Sequence, residues 1–290
     1  MKKRSVDIVV SPRVPHFVGD GFRVQNFIPS AYGLDMQAMD PFIMLDYNAP
    51  FYFEATDTPR GVDVHPHRGF ETVTIAFKGK VAHHDSAGNS GVVEEGGVQW
   101  MTAASGVLHK EYHEREFAKN GGIFSMAQLW VNLPAKHKMD PPKYQGYTKE
   151  DIPVACPSEG VEVKVIAGSF NGISGPAHTH TPIHLYRIEM DVATSLELSF
   201  PSNYNTGIIV VDGIVSINEG DAIEVDHYIR MANDGEAFSV NSKTKVTLLL
   251  MSGEPIGEPI AAQGPFVMNT KAEIMQAMRD FYEGKFGHLN

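Results

Sequence analysis

A single cysteine, two tryptophans and no dense basic run are what this 290-residue chain has least of. Cys156 has no partner for an internal disulfide, which fits a reducing compartment and excludes a cysteine-rich zinc site. The net charge of -11 argues against a direct grip on nucleic acid, which needs clustered Lys and Arg to displace counterions from phosphates. The only basic cluster, "MKKRS" at the start, reads as a solvated tail. Long apolar runs are missing too: stretches such as "VTLLLM" (246–251) are too short to span a bilayer. No signal peptide is visible, because the apolar stretch after "MKKRS" is brief and broken by Asp7. The expectation is a soluble, cytoplasmic protein with no membrane contact; protein partners remain open.

What is abundant is strand signal. "TVTIAF" (72–77), "VEVKVIAG" (161–168), "HLYRIEM" (184–190), "LELSF" (196–200), "GIIVV" (207–211) and "KVTLLLM" (245–251) are short, rich in β-branched residues and separated by Gly, Asn and Asp clusters. Many short punctuated strands indicate an all-β sandwich or barrel. The chain divides at "ACPSEG" (155–160) into halves that resemble each other. "TVTIAFKGKV" (72–81) and "TGIIVVDGIV" (206–215) align with Gly79 on Gly213, which sets His65 opposite Ser199 and His67 opposite Pro201. One clear helix is expected, at 271–283. Thr270 and Glu273 form a capping box, Ile274, Ala277, Met278 and Phe281 make one apolar stripe, and Gly284 is a natural stop.

The chemistry-bearing stretch is "HPHRGFET" (65–72). In an extended chain His65 and His67 share one face, and Pro66, which cannot donate to a ladder, places them on an edge or at a strand end. "SGVLHKEYHE" (105–114) repeats the spacing with His109 and Glu111. If the two pairs lie on facing strands of a small barrel, three imidazoles and one carboxylate meet at one point. Such a set suits Fe(II), Mn(II), Ni(II) or Cu(II), and an octahedral ion held by four groups keeps two open positions for reaction or binding. Trp100 and Trp130 read as core. "HHD" (83–85) reads as a solvated turn or pocket rim, and His178 and His180 in "HTHTPIH" (178–184) align with 44–50, away from the first site.

"HPHRGFETV" (65–73), "QWMTAASGVLHKE" (99–111) and "GPFVMNT" (264–270), with "DPFIMLD" (40–46) before them, strongly resemble the pirin family of the cupin superfamily, over nearly the whole chain. The resemblance implies a bicupin: an N-terminal barrel (1–150) with one metal, and a C-terminal barrel (151–290) without metal that ends in the helix. It implies His65, His67, His109 and Glu111 as metal ligands and favours Fe(II), with Mn, Ni, Cu or Zn open. Glu71, where other cupins often place a ligand, is expected beside the site or in the pocket, as a possible general base alongside Glu111; a structural pairing with Arg68 is the alternative. The activity implied is that of a quercetin 2,3-dioxygenase, opening a flavonol with O2. The other reading is a metal-binding regulatory or redox-sensing protein that acts through protein partners.

Overall fold

In the computed structural model, which describes residues 2–289, four antiparallel sheets build two barrels from one repeated plan. In the first, a seven-stranded sheet runs in the order Lys143–Tyr147, Val98–Thr102, Phe70–Lys78, Gly122–Asn132, Phe42–Phe53, Phe22–Ile28, His16–Val18. It is closed by a four-stranded sheet ordered Gly61–His67, Val107–His113, Val81–Asp85, Ser90–Val93. The second barrel repeats both orders: Val6–Val10, Tyr228–Met231, Asn205–Asp212, Val246–Gly253, Ile183–Met190, Val161–Ala167, Val154–Ser158, with Ser195–Ser199, Ala237–Ser242, Val215–Ile217, Ala222–Ile223. The bicupin expected from the sequence is present. Its hairpin glycines explain the faint internal repeat. Gly79 and Gly213 turn with φ of +79° and +83°, and a Cβ on Gly213 would lie 2.3 Å from the Lys245 carbonyl oxygen.

The large sheets pack face to face, and strand alternation decides what each residue meets. From the first sheet Val73, Ile75, Leu129 and Val131 enter one shared core with Ile209, Val211, Leu249 and Met251 of the second. The intervening residues turn into their own barrels. In the second barrel they are Ile208, Val210, Leu248 and Leu250, which join Leu196, Leu198, Phe238 and Val240 in an apolar filling. In the first they are Thr72, Thr74, Gln128 and Asn48, buried but polar. It is the first barrel that lines part of its interior with polar side chains.

The chain ends do not follow a cut at residue 150. Val6–Val10 pairs with Tyr228–Met231 and so belongs to the second barrel's sheet. Nor is the basic start a solvated tail. Arg4 is fully buried and donates from Nε to the Ala232 carbonyl (2.6 Å) and from Nη1 to Thr206 Oγ1 (3.0 Å). The C-terminal end packs on the first barrel. Helix Lys271–Tyr282 carries the expected capping box, and Ile274 and Ala277 bury against Phe266, Met268, Phe286 and Leu108. Arg68 pairs as a bridge with Phe266, and Gly69 (φ +90°) lies so close beneath Val267 that a Cβ would sit 2.0 Å from its carbonyl oxygen. Lys138 Nζ, also buried, donates to the Gly69 and Val267 carbonyls at 2.7 and 3.0 Å. The turn that follows His67 is therefore clamped by residues far along the chain, Lys138 and the Phe266–Val267 segment.

Asp280 locks the clamp, an acidic residue on the helix face that meets the barrel. Its Oδ2 accepts from Arg68 Nη1 at 2.7 Å, with both side chains almost fully buried, and its Oδ1 accepts from Lys285 and Gln276. Lys285 first, and Arg68 with it, hold the Asp280 carboxyl well below the usual carboxylate range. Asp280→Asn leaves a buried guanidinium without its counter-charge and is expected to cost about 3 kcal/mol at neutral pH, the lower end for a buried pair. Because the native pKa is depressed, this stabilisation is complete above the unfolded value of ~3.9 and vanishes as pH falls through the native one. Urea unfolding of both proteins should show the gap at pH 7 and its narrowing below pH ~4; a gap independent of pH would show that the pair is not its source.

Candidate metal centre

Gly61–His67 is an edge strand, as Pro66 requires, and among the described residues its one ladder partner is Val107–His113. The two histidine pairs thus lie on neighbouring antiparallel strands of one sheet, not on facing strands as expected. His65 stands directly opposite His109, and His67 opposite Val107. The register then slips, so that Glu111 faces Val62. Such a bulge re-aims side chains next to it. The three imidazoles converge, with ring centroids 4.9 Å apart for His65–His67, 4.2 Å for His65–His109 and 4.7 Å for His67–His109. One nitrogen from each lies within 4.8 Å of the others. Glu111 joins through His109: a carboxylate oxygen falls within the same 4.8 Å of His109 and of His83.

Burial sets the protonation states. His67 and His109 are held well below the ordinary imidazole pKa by desolvation first, then by their neighbouring imidazoles. Both are therefore neutral donors near pH 7. His65 Nδ1 donates to the Asp63 carbonyl at 2.8 Å, which leaves the lone pair on Nε2. His67 Nδ1 and His109 Nε2 are buried with no hydrogen-bond partner among the described residues. Unpaired buried nitrogens are costly, and a cation among the three imidazoles is one physical remedy, so the donor set fits a divalent metal ion. Glu111 accepts from Thr74 Oγ1 and Gln128 Nε2, both at 3.3 Å.

A cavity of about 290 Å³ opens onto His65, His67 and Glu111. Phe22, Val24, Met126 and Trp130 line it, with Gln128 among the few polar groups. Trp130 packs tilted on Phe70, ring centroids 4.2 Å apart, and meets the His67 ring edge-on at 5.2 Å, so it is pocket wall as well as core. Trp100 is core, fully buried between the barrels. In the second barrel the cross-strand pair that matches His65–His109 is Ser199–Ala237.

Two sequence expectations need correction. Glu71 does not face the histidine cluster. It lies on the same strand as Thr74 but at odd spacing, and so turns to the inter-barrel side, where its Oε1 accepts from Thr102 Oγ1 at 2.6 Å and lies 3.2 Å from His180 Nδ1. It does not pair with Arg68 either, whose partner is Asp280. Nor is "HHD" a solvated turn. His83 is completely buried, stacks on Tyr144 at 5.5 Å and brings Nδ1 to 3.4 Å from His109 Nδ1, with Asp85 3.5 Å from its other nitrogen. The missed signal was again a spacing of two: His83 pairs across the ladder with Glu111, and Asp85 with His109. Only His84 of the three turns to the surface, against Tyr112.

Two antiparallel barrels with a histidine-rich centre inside one of them define a two-barrel cupin protein. The Pirin family matches residues 21–131, and the Pirin C-terminal cupin domain matches residues 185–287. The chain belongs to the pirin family. It is 43% identical over 273 residues to a Pseudomonas aeruginosa protein provisionally named a quercetin 2,3-dioxygenase, covering 93% of this chain and 94% of that one. Pirin-1 of Arabidopsis thaliana is 38% identical, covering 93% and 90%. A crystal structure of quercetin 2,3-dioxygenase from Acinetobacter baumannii superposes with a TM-score of 0.94 at 43% identity over the full length of both chains.

His83 is expected to hold His109 in place for metal binding. His83→Phe keeps the stack on Tyr144 but removes the nitrogen facing His109. Fe(II) affinity should fall about 10- to 100-fold, as when a ligand's hydrogen-bond partner is lost, while the thermal midpoint moves little. Unchanged affinity would make His83 mere packing.

Proposed function

We propose that this pirin is an Fe(II)-dependent dioxygenase of the cytoplasm that opens quercetin or a related flavonol with O2. The observation that supports this most is the meeting of three imidazoles and a carboxylate at the wall of a small apolar cavity. At about 290 Å³ the cavity lies at the low end of ligand-pocket volumes, ~300–1,000 Å³, which suits a compact planar phenol. In this reading His65, His67, His109 and Glu111 would hold the ion. Bound Fe(II) supplies Lewis acidity to the flavonol 3-oxygen and the redox chemistry that activates dioxygen.

The residues do the rest. Phe22, Met126 and Trp130 receive the flat ring system and keep water from it. Glu111, which accepts long hydrogen bonds from Thr74 and Gln128, takes the 3-hydroxyl proton as general base. Gln128, fixed by Thr74, keeps that carboxylate turned to the pocket. In the overall reaction both atoms of dioxygen stay in the ring-opened ester. The former C3 leaves with its own oxygen as carbon monoxide.

Iron-loaded protein in air is expected to release one carbon monoxide per quercetin consumed. His67→Ala should abolish turnover, and Glu111→Gln should lower kcat on the order of 10²–10⁴-fold. Absence of carbon monoxide, beside an active flavonol dioxygenase as control, would sink the enzymatic reading. A regulatory protein that uses metal only for stability would instead keep partner binding after His67→Ala.

A further inference from the structure

Two histidines that the first centre does not use, His137 and His180, meet at a second point. His137 ends the short 3-10 helix Ala135–His137, and Asp140 follows three residues later, both on the connection that leaves the first barrel's strand Gly122–Asn132. His180 comes from the other half, on the loop before strand Ile183–Met190. One donor atom from each of His137, Asp140 and His180 lies within 4.8 Å of the other two. The His137 and His180 rings are 4.8 Å apart, and His137 Nδ1 lies 2.7 Å from Asp140 Oδ2. His178, exposed, stands 5.7 Å from the His180 ring.

A buried carboxylate orients this cluster. Glu71 is 1% exposed, and its Oε1 already accepts a proton from Thr102. That oxygen is therefore an acceptor toward His180 Nδ1 at 3.2 Å as well, so Nδ1 carries the hydrogen and Nε2 the lone pair. A carboxylate that fixes the tautomer and ring plane of a histidine in this way is the support metal-ligating histidines normally have. His137 and Asp140 remain partly open to solvent, so an ion can enter and keep water ligands.

We propose that His137, Asp140 and His180 form a second divalent-cation site, distinct from the centre in the first barrel. Two imidazoles and one carboxylate select a borderline ion such as Zn(II), with Co(II) as a spectroscopic substitute. Because the donors come from both halves of the chain, the ion clasps one barrel's loop to the other's. Glu71 acts through His180 as a positioning residue and does not touch the ion. The site does not depend on the dioxygenase reading.

The test uses the full-length metal-free protein carrying His65→Ala and His109→Ala, so that both donor groups of the first centre, His65–His67–His109 and His83–His109–Glu111, are disabled. Titration with Co(II), followed by its visible absorption and by calorimetry, is expected to give one equivalent bound, with a rise in thermal midpoint. Adding His180→Ala should remove both. The partly exposed Asp140→Asn should do the same should the His180 variant fold poorly. Glu71→Gln should keep one equivalent but weaken it about 10- to 100-fold, whereas a purely structural Glu71 would lower the midpoint and leave the affinity alone. Binding that is absent in the parent, or equally strong in the His180 and Asp140 variants, overturns the proposal.

Discussion

Strand alternation on a sheet buried on both sides is the constraint on which this protein rests. In Phe70–Lys78 every residue but the last is buried, so no side chain escapes to solvent and each must suit one of two interiors. Val73 and Ile75 meet the partner barrel, while Thr72 and Thr74 look into their own. A one-residue slip would exchange these faces, placing hydroxyls in the apolar interface and branched alkyl groups against Glu111. The same parity sends Glu71 to His180 and Thr74 to Glu111, two contacts set by one register.

The two barrels share a plan and differ in what fills them. The second is filled by close-packed apolar side chains, aliphatic and aromatic. The first gives up part of that filling to house imidazoles, amides and a carboxylate, each of which must find a partner or a cation. Support comes from outside the barrel. The turn after His67 is held by the Phe266–Met268 strand, by Lys138 and by the Arg68–Asp280 pair. A site on an edge strand would otherwise sit on one of the least constrained parts of a sheet. This explains why a motif as remote as "GPFVMNT" belongs with "HPHRGF".

Much of this was legible in one dimension. His65, His67, His109 and Glu111 stood out because spacing of two on an extended chain is a local rule, and Pro66 marked its own strand as an edge for an equally local reason. The helix was legible because a cap and a stripe lie within a dozen residues. Glu71 misled because its distance along the chain from His67 says nothing of which face the next strand presents once a left-handed turn at Gly69 intervenes. His83 was missed because a glycine hairpin and two adjacent histidines look the same at a surface as in a barrel wall. Arg4 gives no local sign of its burial, because the sheet edge that covers it is supplied by residues more than two hundred positions later.

By itself, then, the order of residues determined the strand alphabet, the repeat, the family and the two short motifs that point their donors to one side, since all of these follow from backbone periodicity and turn chemistry within a few residues. Only the tertiary structure decided which donors share a centre. That choice separated Glu111 from Glu71, added His83 to His109, and joined His180 to His137 across the barrels, because convergence depends on ladder register and sheet packing between segments the chain keeps far apart.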